Sequence, residues 1–234
     1  MVNIKESLYY RRWKLKYKNY PLASGLTAMI PFANWVKEWS SLKVKNVFEI
    51  GANYAQDAEM LRHCFGLEDK NVYVFEAHPE LCQAIKKLHP QFHTYNCAVY
   101  NKAGIMDFNI VDINSGNSGV STLMHDLKRI PNEKIQIQTI CMKDFMEENN
   151  VKTIDFLKLD VEGVNYEVLD GFGDRLKDVH SLHIESEHAE LYEGETLWGG
   201  VKEKLETSGF EMIYFQRYSN QSDSFWIQKE YLLC

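Results

Sequence analysis

Short apolar runs recur along the chain, and most are followed by a stretch with helical spacing of its apolar residues. The first run, Val47–Ile50, contains the β-branched and aromatic residues that suit a buried strand. It ends at Gly51, and Ala58, Leu61 and Cys64 then mark one face of a helix. A strand, a glycine turn and a helix begin a βαβ unit, which places a nucleotide-sized ligand at the carboxyl end of the strand.

The same alternation extends over the rest of the chain and predicts an α/β fold. Further strands are predicted at 71–76, 91–96, 154–159 and 180–185. Extended segments at 104–112 and 134–141 flank a polar, glycine-rich loop at 114–122, which either covers a ligand or is a surface loop. The segments 210–215 and 224–227 are typical of a closing hairpin. We assign residues 1–43 to a helical segment of the same unit and 44–234 to the main domain.

Length and charge narrow the function classes. The chain has 234 residues, 45% of them hydrophobic, which fits one soluble α/β domain. Residues 1–20 carry a net charge of +5 and the remainder −12, and an acidic body argues against nucleic-acid binding. The basic and aromatic N-terminal segment has two interpretations. Either it binds an anionic substrate, a membrane surface or a partner, or it is a solvated helix whose aromatic side packs on the core.

The spacing of the cysteines and the hydropathy of the chain indicate its cellular location. The five cysteines include no CxxC pair, so we expect reduced thiols in a cytoplasmic protein rather than a disulfide framework or a zinc site. No apolar run approaches the roughly 18 residues that a transmembrane segment needs.

The first turn indicates a ligand without phosphate. A dinucleotide fingerprint needs three glycines, whereas this turn has Gly51 alone, so a nicotinamide-dependent oxidoreductase is disfavoured. Glu49, inside the preceding strand, would repel a phosphate. A cationic sulfonium such as S-adenosylmethionine fits this turn. An ordinary α/β turn with a nearby acid is the other interpretation.

Carboxylates recur at the ends of the predicted parallel strands. They are Glu49, Glu76, Asp160 and Glu185. Glu76 lies 25 positions after Gly51, as does the acid that binds ribose hydroxyls in nucleotide-binding folds. Four acids on one rim indicate a cationic ligand, a metal ion or general-base chemistry. Glu162 has the simpler interpretation of an acid in the first turn of a helix.

Five segments together resemble the FkbM family of S-adenosylmethionine-dependent methyltransferases, over roughly residues 44–215. The segments are Val-Phe-Glu-Ile-Gly-Ala-Asn at 47–53, Val-Phe-Glu-Ala-His-Pro at 74–79, Asn-Cys-Ala-Val at 96–99, Ser-Gly-Val-Ser-Thr-Leu at 118–123 and Phe-Leu-Lys-Leu-Asp-Val-Glu-Gly at 156–163. The resemblance implies O-methylation of sugars or natural products. It also implies a Rossmann-like class I methyltransferase fold, a seven-stranded mostly parallel sheet with helices on both faces and a C-terminal antiparallel hairpin.

The resemblance also implies roles for single residues. Gly51 and Asn53 would approach the methionine moiety, Glu76 would hold the ribose, and Ala98 would lie near the adenine. Asp160 would sit beside the reactive methyl group, and we include Glu49 in the cofactor-binding set. Two positions depart from the family pattern, because Ala55 stands where glycine is usual and Asn165 where a second acid is usual.

The expected reaction is in-line methyl transfer to a hydroxyl, with the enzyme mainly positioning the reactants. Asp160 or Glu185 is the preferred base, with His183 or His188 as alternatives. The carboxylates would instead hold a divalent cation such as magnesium if the hydroxyl is activated by a metal.

The acceptor is expected to be a small molecule or a glycan. The loop at 114–122 and the segment 185–198 would build its pocket. Tyr192 and Trp198 would stack on a sugar ring there, unless Trp198 packs in the core of its helix. The rival hypothesis is a non-catalytic methyltransferase-like binding module that engages a partner through its basic N-terminal segment. The sequence does not indicate an oligomeric state.

Overall fold

A computed structural model describes Leu15, Lys18 and residues 28–111, 121–125 and 133–233. The strands in these ranges are β1 Val47–Ile50, β2 Val72–Phe75, β3 His93–Tyr95, β4 Ala98–Val99, β5 Gly104–Ile110, β6 Glu133–Ile140, β7 Phe156–Leu159, β8 Ser181–Glu187, β9 Phe210–Tyr218 and β10 Gln221–Gln228. The helices are α1 Ile30–Trp39, α2 Gln56–Phe65, α3 Pro79–Leu88, α4 Met142–Glu148, α5 Asn165–Gly171 and α6 Trp198–Thr207.

The main sheet has seven strands in the order β3-β2-β1-β7-β8-β10-β9. Neighbouring strands from β3 to β8 run parallel, and β10 lies antiparallel between β8 and β9. The mostly parallel sheet with a closing hairpin is therefore confirmed. The order places β1 and β7 side by side at the centre, so their carboxyl ends adjoin, as ligand sites in this class of sheet require.

A second, three-stranded sheet was not predicted. Its order is β4-β6-β5, with β5 and β6 antiparallel. The predicted strand at 91–96 is shorter than expected, because the chain leaves the main sheet after Tyr95 and pairs β4 with β6. Asn109 of β5 also pairs with Thr122, which places Thr122 beside the second sheet.

Apolar residues cover both faces of the main sheet, because side chains alternate between faces along a strand. Phe48, Leu157 and Leu182 contribute to a core that includes residues of α4, α5 and α6. Val47 and Phe156 contribute to the core of the other face, which includes residues of α1 and α2.

Within the described ranges, no helix is long and apolar enough to cross a membrane.

Candidate functional site

The turn after β1 brings the ends of three strands together. The amides of Gly51 and Ala52 both donate to the carbonyl of Phe75 at the end of β2, at 3.0 and 3.2 Å. Gly51 has a φ of +79°, and a Cβ there would lie 1.9 Å from the carbonyl oxygen of Asp160. Only glycine fits this close approach, which explains the single glycine of the turn.

The next residues of the turn are held in a left-handed conformation, although neither is glycine. Asn53 has a φ of +50° and Ala55 a φ of +54°. The backbone at Ala55 thus has the conformation that glycine adopts without strain, which accounts for glycine as the usual residue there. Asn53 Oδ1 is buried, and none of the described residues donates a hydrogen bond to it.

Glu76 is fixed at the carboxyl end of β2. Its Oε2 accepts a hydrogen bond from the Asn53 amide and its Oε1 one from the His78 amide, both at 2.7 Å. Burial raises the pKa of Glu76 to about 7, against the opposing effect of these two amides. Asn96 donates to the carbonyls of Glu76 and Ala77 and so secures this strand end.

A buried lysine on β7 lies against three acidic side chains. The Nζ of Lys158 lies 3.4 Å from Glu49 Oε1, 3.2 Å from Asp57 Oδ2 and 3.0 Å from Asp160 Oδ2. The register causes this contact, because Lys158 pairs with Glu49 on β1 and with His183 on β8. The Ala58 amide also donates to Glu49 Oε2 at 3.0 Å.

The lysine changes the titration of its neighbours. Burial raises the pKa of Glu49 to about 8, although the Lys158 charge opposes it. Burial also acts to raise the pKa of Asp160, but the Lys158 ammonium outweighs it and holds that pKa below its ordinary value. Burial lowers the pKa of Lys158, yet Asp160, Asp57 and Glu49 together raise it well above its ordinary value. Lys158 and Asp160 therefore both stay charged at neutral pH.

Among the described residues, no lysine or arginine forms an ion pair with Glu185, near the end of β8. Gln221 on β10 donates from Nε2 to Glu185 Oε1 at 2.6 Å and fixes the carboxyl group. Burial raises the pKa of Glu185 to about 8, and the charges of Asp160 and Glu162 add to this effect. Such a carboxyl group gains and loses a proton near neutral pH, as a general base requires.

The turn after β7 is clamped by two other segments. Thr122 Oγ1 donates to the carbonyl of Glu162 at 2.6 Å, and the Tyr192 hydroxyl donates to the Glu162 carboxylate. Gly163 has a φ of +82°, and a Cβ there would lie 2.6 Å from the Tyr192 ring. Asn165 Oδ1 accepts from the Val161 amide at 3.3 Å, an acceptor role that the usual acid would also fill.

These strand ends enclose a cavity of about 250 Å³. Of the residues predicted from the sequence, those that line it are Gly51, Asn53, Glu76, Ala98, Asp160 and Glu185. Ala98 belongs to an apolar wall with Phe108 and Leu123. The cavity thus joins an apolar wall to a carboxylate-rich floor, a combination that suits a nucleoside carrying a positive charge.

Glu49, His183 and His188 do not line the cavity. Glu49 is fully buried behind it, in contact with Lys158. His183 packs against Phe32 with ring centroids 4.4 Å apart, and burial lowers its pKa to about 3. His188 lies between Trp198 and Phe215, where burial also lowers its pKa. The structure therefore does not place these histidines as bases or Glu49 as a direct cofactor contact.

The predicted acceptor pocket is only partly described. Residues 114–120 lie outside the described ranges, as does the basic N-terminal segment apart from Leu15 and Lys18, whereas Ser121, Thr122 and Leu123 line the cavity. Tyr192 is 2% exposed, so its ring is covered and cannot stack on a sugar. Trp198 packs on the core and against Phe215 at 4.9 Å.

The described residues do not fit a metal ion. No group of three His, Cys, Asp or Glu side chains in these ranges is arranged to hold one. Carboxylates predicted as possible ligands instead surround the Lys158 ammonium, which supplies the compensating charge.

Sequence reasoning missed Lys158, Asp57 and Gln221. Lys158 stands between two leucines of an otherwise apolar strand, which was a usable signal, since a lysine is rarely buried unless it is paired. Asp57 and Gln221 carried no comparable signal, because their positions depend on the packing of α2 and on the β8–β10 pairing.

The strand order, the antiparallel β10 and a cavity at the carboxyl ends of β1, β2 and β7 define a Rossmann-like class I methyltransferase fold. The family model described as the methyltransferase FkbM domain matches residues 49–212. The chain therefore belongs to the FkbM methyltransferase family, as the sequence motifs predicted. No curated protein sequence matches the chain significantly.

Several solved structures are similar to the chain at low sequence identity. Methyltransferase FkbM from Methylobacillus flagellatus KT is 11% identical, with a TM-score of 0.48 over 92% of this chain and 58% of that one. The magnesium protoporphyrin IX methyltransferase ChlM of Synechocystis PCC 6803, solved with bound S-adenosylmethionine, is 10% identical, with a TM-score of 0.48 over 96% and 93% of the two chains. TrmK of M. capricolum, solved with S-adenosylhomocysteine, is 12% identical, with a TM-score of 0.46 over 86% and 69%.

Proposed function

We propose that the protein is an S-adenosylmethionine-dependent O-methyltransferase that acts on a hydroxyl of a sugar or glycan. Membership of the FkbM methyltransferase family supports the reaction class. The observation that carries the proposal is the Glu76 carboxylate, which two backbone amides hold at the cavity wall. Each of its oxygens keeps a second lone pair, so the carboxylate can accept both hydroxyls of a ribose.

The residues of the cavity fit this cofactor. S-adenosylmethionine supplies a methyl group activated by a sulfonium. Asn53 Oδ1, a buried acceptor, suits the ammonium of the methionine moiety. Ala98 and Phe108 form an apolar surface for the adenine. Asp160, kept ionised by Lys158, places a negative charge where the sulfonium would lie.

Among the four proposed bases, the geometry favours Glu185. It lines the cavity, and its pKa of about 8, raised chiefly by burial, allows it to take a proton near neutral pH. Asp160 is a weaker base, because Lys158 stabilises its ionised form. Glu185 would take the proton of the acceptor hydroxyl, and Gln221 would keep its carboxyl group oriented. General-base catalysis of this kind contributes a factor of about 10² to 10⁴.

The class of acceptor follows from the family resemblance and from the charge of the site. Glu162 and Glu185 at the cavity offer acceptors for hydroxyl groups and disfavour phosphate-rich ligands, so we propose a small molecule or glycan rather than nucleic acid. Cys64, Cys82, Cys97 and Cys141 are free thiols, which supports a cytoplasmic location.

Calorimetry with S-adenosylmethionine tests the cofactor and the role of Glu76. We expect the wild type to bind, and Glu76→Ala to weaken binding about 10- to 100-fold, because hydrogen bonds to a charged group are lost. Glu80→Ala, which changes an exposed carboxylate in the first turn of α3, is the matched control and should bind as the wild type does. A folded wild type that does not bind S-adenosylmethionine would contradict the proposal.

A further inference from the structure

The cavity carries more negative than positive charge. Its lining includes five carboxyl groups, those of Asp57, Glu76, Asp160, Glu162 and Glu185. Lys158 is the sole lysine or arginine among the described residues of the lining. Its ammonium is already shared among Glu49, Asp57 and Asp160 at 3.0 to 3.4 Å. In the ligand-free cavity, one positive charge is therefore shared among three acidic side chains.

Glu185 is a carboxyl group of this cavity that lies among several other acids. It faces Asp160 and Glu162 from the β7 side and Asp223 from β10, which pairs with it directly across the sheet. Glu187 lies two positions further along β8, and Lys158 exerts a weaker opposing effect than these acids. Glu185 thus has a fixed neutral donor, Gln221, and several like charges around it.

We propose that Glu185 is protonated in the cofactor-free protein and releases its proton to solvent when the sulfonium of S-adenosylmethionine enters the cavity. This inference rests on the proposed function. A positive charge placed among these carboxyl groups favours their ionised forms. Burial raises the pKa of both Glu76 and Glu185, but two backbone amides hold Glu76 toward a ribose that S-adenosylmethionine and its product share, so we assign the proton whose release depends on the sulfonium to Glu185. Glu185 is therefore an ionised carboxylate, able to act as a base, when the methyl donor is bound. It is a neutral carboxylic acid when the cavity is empty.

The charges balance over the reaction. Glu185 enters the chemical step as a carboxylate beside a sulfonium. It takes the proton of the acceptor hydroxyl while the new oxygen–methyl bond forms and the sulfur–methyl bond breaks, and the bonding pair of that bond stays on sulfur. The cavity then holds a neutral carboxylic acid beside a neutral thioether, so its net charge is the same before and after transfer.

Asp160 cannot serve as this proton reservoir. Its Oδ2 lies 3.0 Å from the Lys158 ammonium, so it stays ionised with or without a cofactor. The two carboxyl groups therefore differ in protonation because only Asp160 lies beside Lys158. Asp160 is a permanent negative charge, and Glu185 is the group that exchanges a proton.

Calorimetry in two buffers measures the release directly. Titrations of S-adenosylmethionine and S-adenosylhomocysteine at pH 7, in phosphate and in Tris, give the number of protons released from the difference in enthalpy between the buffers. The two ligands share the nucleoside and the amino acid and differ in the sulfonium charge. We expect S-adenosylmethionine to release about 0.5 to 1 proton more per site than S-adenosylhomocysteine, given a free-state pKa of Glu185 near 8.

Two variants identify the group involved. Glu185→Gln should abolish the excess, whereas Glu187→Gln should preserve it, because Glu187 is a buried carboxyl group of β8 with a similarly raised pKa that does not line the cavity. Equal release for both ligands, or an excess that survives Glu185→Gln, would overturn the inference while leaving the methyltransferase proposal in place.

Wild-type protein gives a second readout that needs no variant. The ratio of S-adenosylmethionine to S-adenosylhomocysteine affinity should rise several-fold from pH 6 to pH 8, since deprotonation of Glu185 then costs less. A constant ratio would overturn the inference. Failure to bind S-adenosylmethionine at any pH would overturn the proposed function as well.

Discussion

Lys158 decides the chemistry of the site at the scale of single residues. It is 5% exposed, and its ammonium contacts carboxylates from β1, from α2 and from the end of β7. Removing an ammonium and its carboxylate partners from water costs desolvation free energy, and their mutual attraction offsets that cost. The sequence predicted the acids Glu76, Asp160 and Glu185 from their positions at strand ends, but the contact of Lys158 with Glu49 and Asp160 depends on the strand register.

Replacing this lysine should destabilise the protein strongly. We expect Lys158→Met to lower the free energy of unfolding by about 3 to 5 kcal/mol, because Glu49 is left buried without its partner. Urea denaturation measures the change. Lys202→Met, which breaks the exposed pair with Glu206, should cost less than about 0.5 kcal/mol. A similar loss of unfolding free energy in the two variants would contradict the role of Lys158 as the partner of the buried acids.

At the scale of elements, the turn between β7 and α5 explains the motif Leu-Asp-Val-Glu-Gly. Asp160 meets Gly51 at the end of β1, Glu162 is bound by Thr122 and Tyr192, and Gly163 lies against the Tyr192 ring. The strand, the turn and the helix were predicted from the sequence, and so was a functional role for Asp160. The contacts of Thr122 and Tyr192 were not, because these residues are 40 and 30 positions away from Glu162.

A methyl group at the last position of this turn should be poorly tolerated. We expect Gly163→Ala to destabilise the protein by about 2 to 4 kcal/mol, through its positive φ and the overlap with the Tyr192 ring. Gly199→Ala is the matched control, because a Cβ at this helical position meets open space. That control should stabilise the protein by up to about 1 kcal/mol. Thermal unfolding compares the two, and equal effects would argue against the steric explanation.

At the scale of the whole molecule, apolar cores cover both faces of the main sheet, and acidic side chains are buried near its carboxyl edge. Burial raises the pKa of Glu49, Glu185 and Glu187 to about 8 and that of Glu76 to about 7. These groups bind protons more tightly in the folded chain than in the unfolded one. Their contribution to stability is complete below about pH 4.5 and is lost as pH rises toward 8.

Stability should therefore fall between pH 6.5 and pH 8. His183 acts in the opposite direction, because its lowered pKa favours folding as pH rises, but that effect is complete above about pH 6.5. We expect the midpoint of thermal unfolding to drop by about 5 to 10 °C across this window in the cofactor-free protein.

Variants show whether the buried acids cause the fall. Glu187→Gln should make the drop shallower, whereas Glu211→Gln, at an exposed position of β9, should leave it unchanged. A midpoint that is constant or rises from pH 6.5 to pH 8 would show that these carboxyl groups are not protonated in the folded state.

The sequence by itself determined the α/β class, the succession of strands and helices along the chain, the family, and the residues at the strand ends. These features follow from local patterns, since hydrophobic periodicity and glycine turns act between neighbours in the chain. The tertiary structure alone decided that Lys158 pairs with Asp160, that Gln221 orients Glu185, and that His183 and His188 pack against Phe32 and Trp198 and do not line the cavity. Those facts depend on register and packing between distant segments, and the protonation of each carboxyl group depends on which neighbours that packing brings within a few ångströms.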